Sequence, residues 1–158
     1  MIFYSRRQIS ILGAALSLLA IGGTSPPAVA QSGALNLASY KGKVVYLDFW
    51  ASWCGPCKQS FPYMQGLVQK YGAGGFVVLT VNLDRSRPQA DAFLRKVGAR
   101  LPVTYDSAGT LAKQYGVKDM PTSVLIDRQG RVRFTHKGFH PNEQGAYEAH
   151  IDQLIKER

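Results

Sequence analysis

The sequence is poor in cysteine, in histidine and in acidic residues. Its 158 residues include two Cys, three His and ten Asp or Glu, against 19 Lys or Arg. Two cysteines exclude the class of small secreted protein that relies on several disulfides, and the chain has no internal repeat or low-complexity stretch. Because 46% of the residues are hydrophobic, the composition also excludes a disordered chain and predicts one folded domain.

Basic residues outnumber acidic ones without forming a cluster. The formal net charge is +9 at pH 7, which would suit nucleic-acid binding if the charges shared one stripe. The basic residues are instead scattered along the chain, at Lys41, Lys43, Lys70, Arg85, Arg95, Arg100, Lys113, Arg128 and Arg131. We therefore expect a solvated basic surface and no nucleic-acid partner.

The N-terminus has the pattern of an export signal. Arg6 and Arg7 precede an apolar stretch over residues 9–23, and small residues follow at Ala28-Val29-Ala30. The stretch is shorter than the ~20 residues that span a bilayer, so the pattern predicts a signal peptide at 1–30, cleaved after Ala30, and a mature domain at 31–158. An uncleaved membrane anchor through residues 9–23 is the alternative, and both the general and the twin-arginine export routes are compatible with the pattern. With either a signal peptide or an anchor, the domain is expected to reach the periplasm or another extracytoplasmic compartment. We expect it to be a monomer.

Hydrophobic periodicity predicts alternating strands and helices. Continuous β-branched and aromatic runs indicate buried strands, and apolar residues spaced three or four apart indicate helices. The predicted strands are residues 43–50, 76–83, 122–126 and 131–136, and the predicted helices are residues 55–71, 89–97, 107–115 and 142–156. Pro62 is expected to kink the first helix. Strands and helices alternate in the first part of the domain, and the last two strands form a hairpin. This order predicts an α/β domain whose sheet is parallel in its early part and antiparallel at one edge.

Two cysteines separated by two residues stand where the first strand meets the first helix. Cys54 and Cys57 can close a small disulfide ring, and the free N–H groups of a helix start stabilise a thiolate at Cys54. A structural disulfide is the alternative, but closing so short a loop would stabilise the fold little. A structural zinc site would need further ligands; His136 and His140 stand four apart, but Gly138 and Pro141 place them in a strand end and a loop, and His150 adds no suitable pair. The pattern therefore predicts redox chemistry without a metal, with Cys54 as nucleophile and Cys57 as resolving thiol.

Two separated motifs resemble the thioredoxin superfamily, and more closely its exported TlpA/ResA-like branch. The first is Gly42-Lys43-Val44-Val45 followed by Phe49-Trp50-Ala51-Ser52-Trp53-Cys54-Gly55-Pro56-Cys57. The second is Asp119-Met120-Pro121-Thr122-Ser123-Val124-Leu125-Ile126-Asp127 with Gly130. The resemblance runs from residue 35 to the C-terminus. It implies a thioredoxin fold, a mixed central sheet flanked by helices, with an extra helical segment at about 85–118 between the second strand and the cis-Pro loop.

The resemblance also implies a substrate-binding surface around the cysteines. Pro121 would be a cis-proline packed beside the disulfide, and the Met120 backbone would offer edge hydrogen bonds to an extended client segment. Trp53, Gly55 and Pro56 would line the same surface. The neighbouring Trp50 is expected to pack in the core instead.

Asp48 is a lone acid inside an apolar strand, six residues before Cys54. It matches the buried acid of cytosolic-type thioredoxins, and burial would raise its pKa and suit it to accept a proton from Cys57. A strand residue facing water is the alternative. Many TlpA/ResA-like proteins carry Asn there and an acid just after the second cysteine, where this chain has Ser60. Thr80 replaces the Lys that often accompanies the buried acid.

These features together predict an exported thiol:disulfide oxidoreductase that reduces client proteins. The Gly55-Pro56 pair resembles reducing thioredoxins, whereas oxidases of the superfamily usually carry His between the cysteines. The expected partners are clients bearing disulfides and a membrane-embedded thiol transporter that supplies electrons, and no cofactor beyond the cysteine pair is expected. Two alternatives stand beside this prediction. One is a disulfide oxidase or isomerase; the other is a thiol chaperone or Cu(I)-handling protein for metal-site assembly, including cytochrome c or oxidase maturation.

Overall fold

The computed structural model describes residues 35–157. The predicted signal peptide, its cleavage after Ala30 and the alternative anchor lie outside the described residues. The strands are β1 (Val44–Trp50), β2 (Phe76–Asn82), β3 (Val103–Tyr105), β4 (Thr122–Ile126) and β5 (Val132–Lys137). The α-helices are α1 (Cys57–Tyr71), α2 (Arg87–Val97), α3 (Thr110–Gln114) and α4 (Gln144–Lys156), with short 3-10 helices at Leu37–Tyr40, Gly72–Gly74 and Pro141–Glu143. None of the helices within residues 35–157 combines the length and the apolar composition needed to cross a membrane.

The five strands form one mixed sheet in the order β3-β2-β1-β4-β5. β1, β2 and β3 run parallel, whereas β4 is antiparallel to β1 and to β5. The predicted α/β class, with a parallel early part and an antiparallel edge, is confirmed. Thr122 at the start of β4 lies opposite Phe49 near the end of β1, so the segments after β1 and before β4 meet at one end of the sheet.

β1 is buried along its whole length because helices cover both faces of the sheet. On one face, Tyr46 and Trp50 pack against residues of α1 and α4, namely Phe61, Met64, Leu67, Ile151 and Leu154. On the other face, Leu47 and Phe49 pack in a second cluster with Ala112 of α3. Burying side chains of this size stabilises the fold by about 1.5–3 kcal/mol each. The end of β1 is therefore a firmly packed support for the loop that follows it.

The main differences from the sequence prediction concern β3, α1 and α3. β3 was not predicted, and its three residues pair with Thr80–Asn82 of β2. α1 begins at Cys57 instead of residue 55, and Pro62 lies inside it. α3 begins at Thr110 instead of residue 107, since the Asp106 carboxylate accepts hydrogen bonds from the N–H groups of Thr110 at 2.8 Å and Ala112 at 3.0 Å. The segment predicted as extra and helical thus contains α2, β3 and α3.

Candidate active site

Cys54 and Cys57 form a disulfide at the N-terminus of α1, with their Cα atoms 5.3 Å apart. Cys57 is the first residue of the helix and is fully buried, whereas 6% of Cys54 is exposed. The Cys57 backbone N–H donates to Cys54 Sγ at 3.3 Å. This donor belongs to the first turn of a helix, where N–H groups have no intrahelical partner and the potential is positive. The arrangement favours a thiolate at Cys54 when the disulfide is reduced.

Three residues next to the two cysteines are exposed to solvent. Trp53 is 70% exposed, the highest value for a large hydrophobic side chain among the described residues. Gly55 and Pro56 are also exposed. Cys54 is therefore the sulfur closer to solvent, and a large aromatic ring stands next to it.

A network of polar side chains holds the start of this loop, and sequence reasoning missed it. The Asp84 carboxylate accepts the Ser52 backbone N–H and the Ser52 hydroxyl, both at 2.9 Å. The Asn82 side-chain amide donates to the same carboxylate at 2.8 Å. Ser52 follows β1, and Asp84 follows the parallel neighbour β2. The available signal was that polar residues follow two adjacent parallel strands, whose carboxyl ends meet at the same end of a sheet.

The Met120–Pro121 peptide bond is cis, as the resemblance implied. Pro121 is buried and precedes β4 at the end of the sheet where the cysteine loop begins. The Met120 side chain packs partly buried against the cluster that contains Cys54 and Cys57. The sheet topology therefore brings the two sequence motifs together, although they are more than sixty residues apart in the chain.

Asp48 is fully buried in the middle of β1. Residues two apart in a strand face the same side of the sheet. The Asp48 side chain therefore points to the same face as Tyr46 and Trp50, whose cluster includes both cysteines. The Ser123 hydroxyl donates to Asp48 Oδ1 at 2.9 Å, and Oδ2 has no hydrogen-bond partner among the described residues. Burial raises the pKa of Asp48 to about 7, against the lowering effect of the Ser123 hydrogen bond. The water-facing alternative is wrong, and this carboxyl can gain or lose a proton near neutral pH.

Ser60 and Thr80 stand at two positions where the resemblance implies an acid and a lysine, and both donate their hydroxyls to backbone carbonyls. Thr80 lies opposite Asp48 on β2, but its hydroxyl donates to the Pro102 carbonyl at 2.9 Å. Ser60 is buried, and its hydroxyl donates to the Cys57 carbonyl at 3.0 Å. No ion pair to Asp48 forms within residues 35–157. The Ser123 hydroxyl is therefore the one hydrogen-bond donor to this carboxyl among the described residues.

His136 lies on β5 opposite Ser123, which pairs in turn with Asp48 on β1, and its ring stacks on that of His150 in α4. His136 Nε2 is 3.0 Å from His150 Nδ1, and burial lowers the pKa of His136 to about 4. Over the part of the chain that the structure describes, no group of three His, Cys, Asp or Glu side chains is arranged to hold a metal ion.

The family model described as Redoxin matches residues 23–154 of the chain. The chain belongs to the Redoxin family. Its fold is the thioredoxin fold that the two motifs predicted, and several solved structures related to this Redoxin protein share it.

Three relatives resemble the chain over most of its length. The thiol-disulfide oxidoreductase ResA of Bacillus thuringiensis subsp. konkukian is 37% identical over 110 residues, which cover 70% of this chain and 64% of that protein. A crystal structure from Chlorobium tepidum, described as a thiol:disulfide interchange protein DsbE, is 48% identical with a TM-score of 0.76 and covers 80% of this chain and 89% of that one. The exposed lipoprotein thioredoxin Etrx1 of Streptococcus pneumoniae is 38% identical with a TM-score of 0.62, covering 75% and 90%. The chain thus spans somewhat less than two thirds of the first of these relatives.

Proposed function

We propose that this Redoxin-family protein is a thiol:disulfide oxidoreductase that reduces disulfides of client proteins outside the cytoplasm. The observation that carries the proposal is the Cys54–Cys57 disulfide, with Cys54 Sγ accepting a helix N-terminal N–H beside the exposed Trp53. A thiolate favoured at the more exposed cysteine is what nucleophilic attack on another disulfide needs. The names of the relatives support the same class of reaction.

The reaction is an exchange of two electrons between two cysteine pairs. The Cys54 thiolate attacks one sulfur of the client disulfide, a mixed disulfide forms, and the other client sulfur leaves as a thiolate that takes up a proton. The Cys57 thiol then loses its proton and attacks Cys54 Sγ, which releases the second client thiol. The client is reduced, and the Cys54–Cys57 pair is oxidised.

Asp48 is proposed to accept the proton that Cys57 loses. Cys57 is fully buried, so its thiol has no direct contact with water, and a base must lie on its own side of the sheet. Asp48 points to that side, and its pKa of about 7 matches the pH at which proton acceptance is most useful. After the exchange the carboxyl returns the proton to solvent.

Pro121, Met120 and Trp53 are proposed to position the client. The Met120 side chain contacts the cluster that holds both cysteines, and its backbone stands ahead of β4 where an extended segment could add as a strand. The exposed Trp53 ring offers a large apolar contact.

Reduction is the proposed direction, and the extracytoplasmic side the proposed location. Gly55 and Pro56 supply no imidazole or charge that would stabilise the Cys54 thiolate further, and an over-stabilised thiolate is what makes a pair oxidising. The export pattern at 1–30 supports the location, where a membrane thiol transporter would have to return electrons to the pair.

Trapping of the mixed disulfide tests the proposal. Cys57→Ala leaves the nucleophile and removes the resolving thiol, so the reduced variant should hold a disulfide-bearing model protein as a covalent complex that dithiothreitol releases. Cys54→Ala is the matched control and should trap little. A complex formed equally well by Cys54→Ala, or by neither variant, would contradict the assignment.

A further inference from the structure

A groove lies beside Cys54. It has a volume of about 330 Å³ and lies between the cysteine loop, the first turn of α1 and α2. Trp53 and Cys54 form one wall, and Phe93 and Val97 of α2 contribute the apolar part of the other. The groove therefore opens directly beside the reactive sulfur.

Two lysines border the groove, and no acid does. Lys58 of α1 and Lys96 of α2 both line it and are exposed. Neither forms an ion pair within residues 35–157. The groove therefore presents two cationic groups to any molecule that approaches Cys54.

The acids nearest in sequence are engaged elsewhere. Asp84 is buried and accepts hydrogen bonds from Ser52 and Asn82. Asp91, on α2, forms an ion pair with Arg87 and accepts the Tyr105 hydroxyl, and it lines a different cavity. Buried Asp84 therefore cannot meet a client side chain, and the two lysines are the charged groups that the groove presents to it.

We propose that this groove binds an acidic segment of the client chain next to the client cysteine. An Asp or Glu side chain of the client meets Lys58 and Lys96, and an apolar neighbour packs on Trp53 and Phe93. The proposal rests on the proposed function, since the segment is held for attack by Cys54. It adds charge selection, which speeds the encounter of complementary partners and slows that of like-charged ones.

Matched peptide disulfides test the charge selection. Three peptides differ only in the residues beside one cysteine of an internal disulfide, which are Glu, Gln or Lys, and each is mixed with the reduced full-length protein at low salt. We expect the Glu peptide to be reduced about tenfold faster than the Gln peptide, because paired charges at the edge of an interface act chiefly on the association rate. The Lys peptide should be slowest, and the differences should shrink in 0.5 M salt.

Variants of α2 separate the groove from the net charge of the protein. Lys96→Gln should lower the ratio of Glu-peptide to Gln-peptide rates at least threefold, and Lys96→Glu should bring it to about one, because Lys58 remains and offsets the introduced charge. Arg95→Gln is the matched control, because Arg95 is the exposed neighbour on the same helix but lines a different cavity. Its rate ratio should stay within a factor of two of the wild-type value.

Two results would overturn the proposal. One is equal rates for the three peptides, and the other is an equal loss of selection in Lys96→Gln and Arg95→Gln, which would attribute the effect to net charge. Bis(2-hydroxyethyl) disulfide, which carries no charge, distinguishes this failure from failure of the proposed function. If the wild-type protein reduces the uncharged compound but shows no charge preference, the proposed role of the groove is wrong and the proposed reductase function is retained. If the protein reduces none of the compounds, the proposed function is wrong as well.

Discussion

Two aspartates, Asp48 within β1 and Asp127 directly after β4, are both buried, yet their pKa values move in opposite directions. Burial raises the pKa of Asp48 to about 7. Burial acts on Asp127 in the same sense, but the hydrogen bonds that it accepts outweigh this effect and lower its pKa below the ordinary value. Both side chains are almost closed to solvent, but Asp48 lies in the middle of a strand that is buried along its whole length and Asp127 lies in the hairpin turn after β4, so the two differ in depth as well as in partners.

The number and charge of the donors add to this difference in depth. Asp127 accepts the backbone N–H groups of Gln129 and Arg131 and pairs with the guanidinium groups of Arg131 and Arg133. Asp48 accepts one hydroxyl, and one of its oxygens has no partner in the described chain. A fully paired carboxylate stays ionised and fastens the hairpin between β4 and β5. A nearly unpaired carboxyl titrates near neutral pH, as a proton acceptor must.

The largest effect is expected for Asp48→Asn on activity. The amide has the same shape and still accepts the Ser123 hydroxyl, but it cannot take the Cys57 proton. We expect the rate of disulfide reduction at pH 7 to fall by about 10²-fold, the lower end of what proton transfer by a positioned group contributes. Stopped-flow reduction of a peptide disulfide measures it. Wild-type rates in Asp48→Asn across pH 6 to 9 would show that this carboxyl is structural.

The same variant should change how stability depends on pH. Because the pKa of Asp48 is higher in the folded state than in the unfolded chain, the native protein binds the extra proton between about pH 4 and pH 7 and loses stability as the pH rises through that window. A pKa that differs by one between the folded and unfolded states changes the free energy of unfolding by about 1.4 kcal/mol. The stability of Asp48→Asn relative to wild type should thus increase by up to about 4 kcal/mol from pH 4 to pH 8, measured by urea unfolding of the oxidised proteins. A difference that stays flat over this range would contradict the raised pKa.

Asp127→Asn should instead lower the free energy of unfolding at neutral pH. The amide cannot serve both guanidinium groups, so we expect a loss of about 1.5–3 kcal/mol at pH 7, the usual value of a hydrogen bond to a charged group. Since the folded-state pKa of Asp127 is lowered, this stabilisation is present above the ordinary carboxyl range and disappears as the pH falls through the lowered value. Urea unfolding at pH 7 and below pH 3 checks both points, and reduction of peptide disulfides should stay near the wild-type rate. If Asp127→Asn were more stable than the wild type at pH 7, the contrast drawn between Asp48 and Asp127 would be contradicted.

The smallest effect is expected for Ser123→Ala. The hydroxyl is the one group that lowers the pKa of Asp48, so its removal should raise that pKa further. We expect the acid limb of the pH–rate profile to move to higher pH by about 1, the equivalent of a hydrogen bond of about 1.4 kcal/mol. Thr135→Ala, an exposed site on β5, is the control and should not move the profile. A movement to lower pH in Ser123→Ala would show that the hydroxyl has another role.

The sequence predicted the parts of the fold that depend on local patterns. The apolar run of β1 and its single acid indicated a buried strand and a buried Asp48, and the motif around Pro121 indicated a cis peptide bond. β3 was missed because three residues after Pro102 are too short for a periodic pattern, and their strand geometry comes from pairing with β2. The start of α3 was placed too early because Asp106 caps the helix from outside it.

Contacts between distant residues could not be predicted. Ser123, which is 75 residues from Asp48 in the chain, supplies the hydrogen bond that sets how far its pKa rises. Asp84 and Ser52, 32 residues apart, fix the start of the cysteine loop. Neither pair follows a repeating spacing, because the sheet topology brings the partners together.

The reduction potential of the Cys54–Cys57 pair tests the central claim most directly. The full-length protein is equilibrated with glutathione or dithiothreitol buffers of known potential, and alkylation followed by mass measurement gives the oxidised fraction. An aspartate that ionises on the cysteines' side of the sheet, together with Gly55 and Pro56 between the cysteines, disfavours a strongly stabilised thiolate. We expect a potential near the ~−270 mV of thioredoxin, and a value above about −180 mV, that of protein disulfide isomerase, would contradict the assignment as a reductase.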